Sequence, residues 1–184
     1  LQIQALLLTA FAIVREREQG TLEQLIVTPI KSWELMLGKI LPFVIVAFIN
    51  VIMTVAVGAV WFGVKVVGSY ALLAGLSLIF LLGSLGLGVF ISNISKTQMQ
   101  AMYMASFIMI PAFILAGLLF PRENMPGLAY YAGYLLPVTY FLEIVRGIIL
   151  KGADFVILWK WIWPMAVFSI VVFFASVLMF HKRL

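Results

Sequence analysis

Hydrophobic stretches long enough to cross a bilayer occupy most of the chain, and charged residues separate them. Lys39, Lys65, Lys96 and Arg122 enclose three intervals of 25, 30 and 25 uncharged residues, and 20 more lie between Lys160 and His181. Because a helix needs about 20 apolar residues to cross the hydrocarbon core, each interval predicts one crossing helix. We place these helices at 40–62, 70–91, 99–119 and 161–180.

The first 14 residues, LQIQALLLTAFAIV, predict the end of another membrane helix. They are about six residues short of a full span. No basic segment precedes them, as it would in a signal peptide. We therefore expect the chain to be a fragment of a longer protein, in which residues 1–14 complete a truncated span. The sequence predicts an all-α, polytopic transmembrane helical bundle with about five spans, forming a single domain over residues 1–184.

The composition excludes several classes of protein. Apolar residues make up 65% of the chain and charged residues 10%, whereas soluble domains are about 25% charged. The absence of cysteine excludes disulfides, thiolate metal sites and cysteine nucleophiles. No run of Lys and Arg with interleaved aromatic residues supports nucleic-acid binding, so the formal charge of +5 is better explained as loop charge that sets the membrane topology.

The distribution of Lys and Arg between the loops predicts the orientation. The loops on one side (15–39, 92–98 and 181–184) carry seven Lys and Arg in 36 residues. The loops on the other side (63–69 and 120–160) carry five in 48. Since the side richer in Lys and Arg is cytoplasmic, we expect the C-terminus to lie in the cytoplasm.

The segment 120–152 has two interpretations. Residues 128–150 are apolar enough for a sixth crossing, but Pro137 breaks the run, and Glu143 and Arg146 sit where a helix facing lipid would carry leucine. The favoured interpretation is a re-entrant helical hairpin in the outer leaflet, which is tolerated where it is buried in protein or lines a cavity. A true crossing remains the alternative.

The segment 15–39 is the most polar part of the chain, because it holds eight of the chain's nineteen charged residues. It is therefore expected outside the bilayer. Within it, Thr21 and Gln24 form a capping box, Glu23 lies in the first turn, where an anion is favoured, and Pro29 ends the helix. The pattern predicts a short amphipathic helix near 20–28. Its candidate docking residues are Gly20, Thr21, Leu22, Glu23, Gln24, Leu25 and Pro29.

A helix lying on the lipid surface is the alternative for this segment. Such helices usually carry Lys and Arg on the polar face, and residues 20–30 contain neither. Docking against another protein is therefore favoured.

A second informative run begins at Pro137, a residue suited to the first position of a helix. Glu143 and Arg146 can pair at i, i+3. Ionisable groups near membrane depth are candidates for a gate or a path lining, although an ion pair that ties the hairpin to the bundle explains them equally well. The candidate residues of this outer gate are Pro137, Tyr140, Glu143, Arg146 and Gly147.

Two pairs of small residues predict close helix packing, within the bundle or across a dimer. They are Ala71 with Gly75 and Ser84 with Gly88. Gly38-Lys39 lacks the other residues of a phosphate-binding loop, and no catalytic triad or metal-ligand spacing is found. We therefore expect no enzymatic activity, bound cofactor or metal in this chain itself.

The two runs together resemble the membrane subunits of type-2 ATP-binding-cassette (ABC) exporters, especially the bacterial branch related to multidrug-efflux permeases. The resemblance rests on REREQGTLEQLIVTPIKSWELMLGKILP, Arg15 to Pro42, and on the pattern from Pro137 to Gly152. It implies that 15–39 is a coupling element that docks into a nucleotide-binding subunit, and that short re-entrant helices lie at the outer mouth. It also implies that the chain resides in the bacterial inner membrane, and that the first span and an extracytoplasmic domain precede it.

The expected partners follow from that resemblance. They are a cytoplasmic ABC ATPase that holds ATP and Mg²⁺, a second permease half in a homodimer or heterodimer, and membrane lipid. The apolar spans suit an amphipathic drug-like or lipid-like substrate. A non-transporting scaffold or assembly protein is the alternative. An ion-coupled secondary transporter is disfavoured because the predicted spans contain no ionisable residues.

Overall fold

The computed structural model of the protein describes residues 2–20, 32–119 and 122–181, which form helices and contain no β-strand. A 3₁₀ turn lies at Arg122–Asn124. The α-helices of the described residues are α1 (Gln2–Glu18), α2 (Ser32–Trp61), α3 (Tyr70–Ile94), α4 (Gln98–Leu115), α5 (Gly127–Gly133), α6 (Pro137–Lys151) and α7 (Phe155–His181).

Helix α3 is the centre of the bundle. Ser69 caps its N-terminus, because the Ser69 hydroxyl accepts a hydrogen bond from the Leu72 backbone N–H at 3.3 Å. In the most apolar 18-residue stretch of α3, 61% of the residues are buried, compared with 17–22% in the corresponding stretches of α2, α4 and α7. The other helices therefore pack around α3 and leave their outward faces exposed and apolar, as in a membrane bundle.

Small residues bring two helices close to the α3 backbone. A Cβ atom added at Gly88 would lie 2.7 Å from the Leu6 carbonyl oxygen of α1, and one at Gly86 would lie 2.9 Å from Cα of Phe173 in α7. On the α7 side, Ser176 Oγ also donates to the Gly86 carbonyl at 2.8 Å. Close approach at small residues is how helices pack in lipid, where burial of apolar surface drives no association.

The contacts fix the directions of the helices. Along α3 and α7, Gly83 lies against Ser169, Gly86 against Phe173, and the Asn93 side chain donates to the Ser176 carbonyl, so these two helices run parallel. Helix α1 runs the same way, since its start lies against Gly88 and its end lies beside Ser95. Helices α2 and α4 connect the parallel helices and run in the opposite direction.

The bundle therefore has two distinct ends. We call the end where α1 and α3 finish, with residues 15–20 and 95–98, the basic end. We call the opposite end, with residues 62–69, 116–119 and 122–154, the hairpin end.

Helices α5 and α6 form a bent pair that begins and ends at the hairpin end. Their axes differ by 82°. The Phe141 ring stacks on Phe80 with centroids 4.1 Å apart, and the Gly68 backbone N–H donates to the Ile148 carbonyl at 3.0 Å. Phe80 lies about 15 Å along α3 from its start, at 1.5 Å per residue. Helix α6 thus starts well inside the bundle and runs back to the hairpin end.

The prediction of a polytopic helical bundle is confirmed. Within the described residues, four helices are long and apolar enough to cross a membrane, at Ile40–Trp61, Tyr70–Ile94, Gln98–Leu115 and Phe155–Met179. Counting the bent pair would give a fifth. Helix α7 begins six residues before the predicted crossing at 161, because its first turns accommodate Lys160, whose ammonium lies 5.0 Å from the Trp161 ring centroid.

Replacing Gly88 with alanine tests the close approach of α1 to α3. We expect Gly88→Ala to lower the free energy of unfolding by about 1–3 kcal/mol, the usual effect of overpacking, because the new methyl group meets backbone. Gly75→Ala is the matched control in the same helix. A Cβ there meets nothing within 4 Å, so a gain of up to about 1 kcal/mol is expected. Thermal unfolding of both purified variants measures the difference, and equal shifts would contradict the packing.

Candidate functional sites at the two ends of the bundle

Arg17 ties α1 to the end of α3 at the basic end. Its guanidinium donates to the carbonyl oxygens of Ser92 at 2.9 Å and Ser95 at 3.1 Å. The last carbonyls of a helix have no partner within the helix, and a cation there is favoured by the helix dipole. Arg17 thus caps α3 from a neighbouring helix.

Glu18 makes the adjoining contact with the start of α4. Its carboxylate accepts from the Gln98 backbone N–H at 2.9 Å and from the Gln98 side-chain amide at 2.6 Å. These two bonds, the side-chain one first, lower the pKa of Glu18 below its ordinary value of 4.5 because they favour the charged form. Arg17 and Glu18 together therefore join the end of α1 to the short α3–α4 connection. We call these two residues and their partners the α1 latch.

The predicted docking helix follows the α1 latch directly in sequence. Thr21, Leu22, Glu23, Gln24, Leu25 and Pro29 lie outside the described residues. Gly20 is described and lies just after α1, and its φ of +69° is the left-handed conformation that glycine supplies at helix ends. Its N–H donates to the Arg17 carbonyl at 3.2 Å.

At the hairpin end, Arg122 and a group of tyrosines hold the bent pair together. The guanidinium carbon lies 4.7 Å from the Tyr130 ring centroid and 4.2 Å from that of Tyr134, and Nη2 donates to the Tyr130 carbonyl at 3.0 Å. Tyr140, predicted as a gate residue, donates its hydroxyl to the Tyr134 carbonyl at 2.6 Å. Since Tyr140 belongs to α6 and Tyr134 follows α5, this bond fixes the bend.

Pro137 is the first residue of α6, and the buried Thr139 supports the same bend. The Thr139 hydroxyl donates to the Gly133 carbonyl at 2.6 Å. Gly147 is buried further along α6, and a Cβ there would lie 2.7 Å from Leu158 of α7. Glycine at this position therefore allows α6 and α7 to pack closely, which is a structural contribution and not a chemical one.

Glu143 and Arg146 lie on the polar face of α6, but their mutual contact is weak. The closest nitrogen and oxygen atoms are 3.9 Å apart, and the side chains are 34% and 45% exposed respectively. Arg146 makes a better bond elsewhere, since its Nη2 donates to the Gly117 carbonyl at 2.9 Å. Gly117 is buried just after α4 and has a φ of +83°, so Arg146 connects the hairpin to the end of α4.

The predicted packing residues fall on two different faces of α3. Ser84 is fully buried and donates to the Phe80 carbonyl at 3.0 Å, and Gly88 lies against α1. Ala71 and Gly75 instead face away from the other described helices. Among the described residues no group of three or more His, Cys, Asp or Glu could hold a metal ion, so nothing in this part of the chain indicates metal chemistry.

Sequence reasoning missed the partners of Arg17, Glu18, Arg122 and Arg146. Arg17, Arg122 and Arg146 bond to backbone carbonyls. Every residue has a carbonyl, so the sequence of side chains does not indicate which one is bound. The one available signal was position, because Arg17, Glu18 and Arg122 lie at or beside the ends of helical segments, whereas Arg146 lies within α6.

Comparisons with family models and with curated proteins indicate the same family. The family model described as "ABC-2 type transporter" matches residues 2–150. The chain is 34% identical over 181 residues to the probable multidrug ABC transporter permease YbhR of Escherichia coli K12, covering 98% of this chain and 49% of that protein. It is 30% identical over 185 residues to the inner membrane transport permease YhhJ of the same organism, covering 98% and 48%.

A more distant relative is eukaryotic. ABC transporter G family member 20 of Dictyostelium discoideum is 23% identical over 181 residues, with 97% of this chain and 25% of that protein covered. No solved structure matches the chain significantly. The chain spans about half the length of the bacterial relatives YbhR and YhhJ.

The lowered pKa of Glu18 gives a prediction for the α1 latch. The ionised Glu18 carboxylate accepts the two Gln98 bonds more strongly than the neutral carboxyl group does. The latch should therefore stabilise the bundle above pH 4.5 and lose that contribution as the pH falls through the lowered pKa of Glu18. We expect Gln98→Ala to raise the pKa of Glu18 toward its ordinary value, since the larger of the two bonds is removed. Gln100→Ala is the control, because Gln100 accepts from Lys96 instead.

A ¹³C NMR titration of the glutamate carboxyl carbons measures this pKa, and a Glu18→Gln spectrum assigns the signal. An unchanged Glu18 titration in Gln98→Ala would contradict the latch geometry.

Proposed function

The chain belongs to the ABC-2 type transporter family as a membrane subunit, and we propose that it forms the core of the permease of an ATP-driven exporter. In this proposal a separate cytoplasmic ABC ATPase binds and hydrolyses ATP, and a second permease half completes the transport path. The chain is an integral membrane protein of the inner membrane, and we place its C-terminus in the cytoplasm. The observation that carries the proposal is the family match over residues 2–150.

The basic end faces the ATPase in this proposal. Residues 20–28 would bind a groove on the ATPase, as the family resemblance implies, and closure of the ATPase would displace them. The α1 latch supports this mechanism. Arg17 and Glu18 immediately precede the docking segment in the sequence, and both bond to the α3–α4 connection. A displacement of residues 21–31 would therefore move α1, α3 and α4 together.

The hairpin end forms the outer mouth of the path. We propose that α5 and α6 are re-entrant and that Glu143 and Arg146 help to close this mouth. The bond from Arg146 to the Gly117 carbonyl supports a gate position, since it joins the hairpin to the end of a crossing helix. The ion pair with Glu143 is longer and partly exposed, and pairs of this kind contribute little.

The transported substrate is an amphipathic drug-like or lipid-like molecule in this proposal. Two relatives are named as multidrug permeases, and the apolar helices suit such a substrate. The scaffold alternative accounts for close helix packing but gives the polar segment 15–39 no role.

Alanine substitution of Glu23 and Gln24 in the full-length protein tests the coupling proposal. We expect the double variant to lose substrate export and stimulation of the ATPase while it is expressed and folded normally. Lys65→Ala with Asn124→Ala is the control, because it changes one charged and one amide side chain at the opposite end. Co-purification of a cassette ATPase and its activity in proteoliposomes are measured. Undiminished export in the Glu23 and Gln24 variant would contradict docking at this segment.

Arg146→Met tests the gate. Removing the guanidinium leaves the Gly117 carbonyl without this donor, and an unpaired buried acceptor costs about 1–3 kcal/mol. We expect a higher basal ATPase rate and slower export in reconstituted transporter. Lys151→Met is the matched control, because it removes an exposed cation from the same helix, keeps the Gly117 bond and should change both rates less than twofold. If reversing the charge at both Glu143 and Arg146 alters neither rate, the two residues have only a structural role.

A further inference from the structure

A cavity of about 160 Å³ lies between α2, α3 and α6 at the hairpin end. Its lining includes Gly58 of α2, Ser77 of α3 and Ile149 of α6, and side chains of the α2–α3 connection also contribute. The only polar side chains in the lining are those of Ser77 and Thr54. No lining residue is ionisable, so the cavity can accept only a neutral molecule without a large desolvation cost.

Ser77 is buried and its hydroxyl has no hydrogen-bond partner. The residue is 1% exposed, and Oγ contacts neither a side-chain nor a backbone acceptor. Several other hydroxyls in the described helices donate to the carbonyl four residues earlier, as Thr9 does to Ala5 and Ser106 does to Met102. A buried polar group without a partner is unfavourable, and Ser77 lies in a cavity wall, so a bound molecule could satisfy it.

The size and polarity of the cavity limit what can occupy it. Cavities of about 150 Å³ with apolar walls hold a benzene molecule. A water molecule needs two to four polar partners, and the walls offer two hydroxyls, of which Thr54 already donates to the Asn50 carbonyl at 2.7 Å. A lipid acyl chain would fill the volume but leave Ser77 unpaired.

We propose that this cavity is a binding site for a small neutral amphiphile of about the size of phenol. The apolar body of the ligand lies among the side chains of α2 and α6, and its single hydroxyl oxygen accepts a hydrogen bond from Ser77. The ligand contacts α2, α3 and α6 together, so binding also stabilises the position of α6.

Two fluorinated probes of nearly equal shape test the hydrogen bond. Binding of 4-fluorophenol and 4-fluorotoluene to the full-length protein in lipid nanodiscs is measured by ¹⁹F NMR. We expect saturable binding of 4-fluorophenol, and we expect Ser77→Ala to weaken it about three- to tenfold relative to 4-fluorotoluene, the usual effect of one hydrogen bond. Ser84→Ala is the control, because Ser84 is equally buried in α3 but donates to the Phe80 carbonyl. An unchanged ratio of the two affinities in Ser77→Ala would overturn the proposal.

A second variant tests the cavity itself. A Cβ at Gly58 meets nothing within 4 Å, so Gly58→Leu should fill the space, keep the fold and abolish saturable binding of both probes. Gly75→Leu is the matched control in α3, since it also has open space but does not line the cavity. Binding that persists in Gly58→Leu, or wild-type protein that shows only unsaturable partitioning, would overturn the proposal. The latter result would favour an acyl chain as the occupant.

Discussion

The close backbone contact of α3 with α1 and α7 is the constraint on which the rest of this bundle depends. In lipid, apolar side chains gain nothing by leaving their surroundings, so helices associate through tight packing and hydrogen bonds. Gly83, Gly86 and Gly88 supply the packing, since each has backbone or a small side chain of a neighbouring helix where a Cβ would lie. The Ser176 hydroxyl adds a hydrogen bond to the Gly86 carbonyl. The three parallel helices therefore form the part of the described structure that is hardest to deform.

Helices α2 and α4 pack along this core through apolar side chains, and polar side chains add further bonds at its two ends. At the basic end, the α1 latch joins α1 to the α3–α4 connection through two side chains. At the hairpin end, α6 packs on α3 and α7, and Arg146 bonds to the end of α4. Helix α2 has only 17% of its apolar window buried. A movement at one end can thus reach the other through the rigid core, while α2 and α4 have fewer contacts that resist displacement.

The sequence predicted the helices well and their contacts poorly, and the reason is physical. Uncharged intervals determine where a helix can cross lipid, so the predicted spans 40–62 and 70–91 correspond closely to Ile40–Trp61 and Tyr70–Ile94. Helix α2 itself begins earlier, at Ser32. Small residues show only that close packing is possible. Ala71 with Gly75 and Ser84 with Gly88 have the same spacing, yet only the second pair lies against another described helix. Which face is covered depends on the neighbouring helices, and a local pattern contains no information about them.

The same argument applies to the hydroxyl groups of the helices. The hydroxyl of a serine in an apolar helix normally donates a hydrogen bond to a carbonyl of the preceding turn. The presence of a serine in the sequence therefore does not indicate a binding site. Ser77 and Ser169 are the buried serines of the described helices whose hydroxyls have no partner. Ser169 lies directly against Gly83, where the helices touch and leave no space, whereas Ser77 lines a cavity. Since Ile144 and Ile148 of α6 face the core while Val145 and Ile149 face that cavity, a molecule bound there would press on the helix that carries Arg146. The cavity and the proposed outer mouth therefore share one helix, and binding at the cavity is expected to change the mouth.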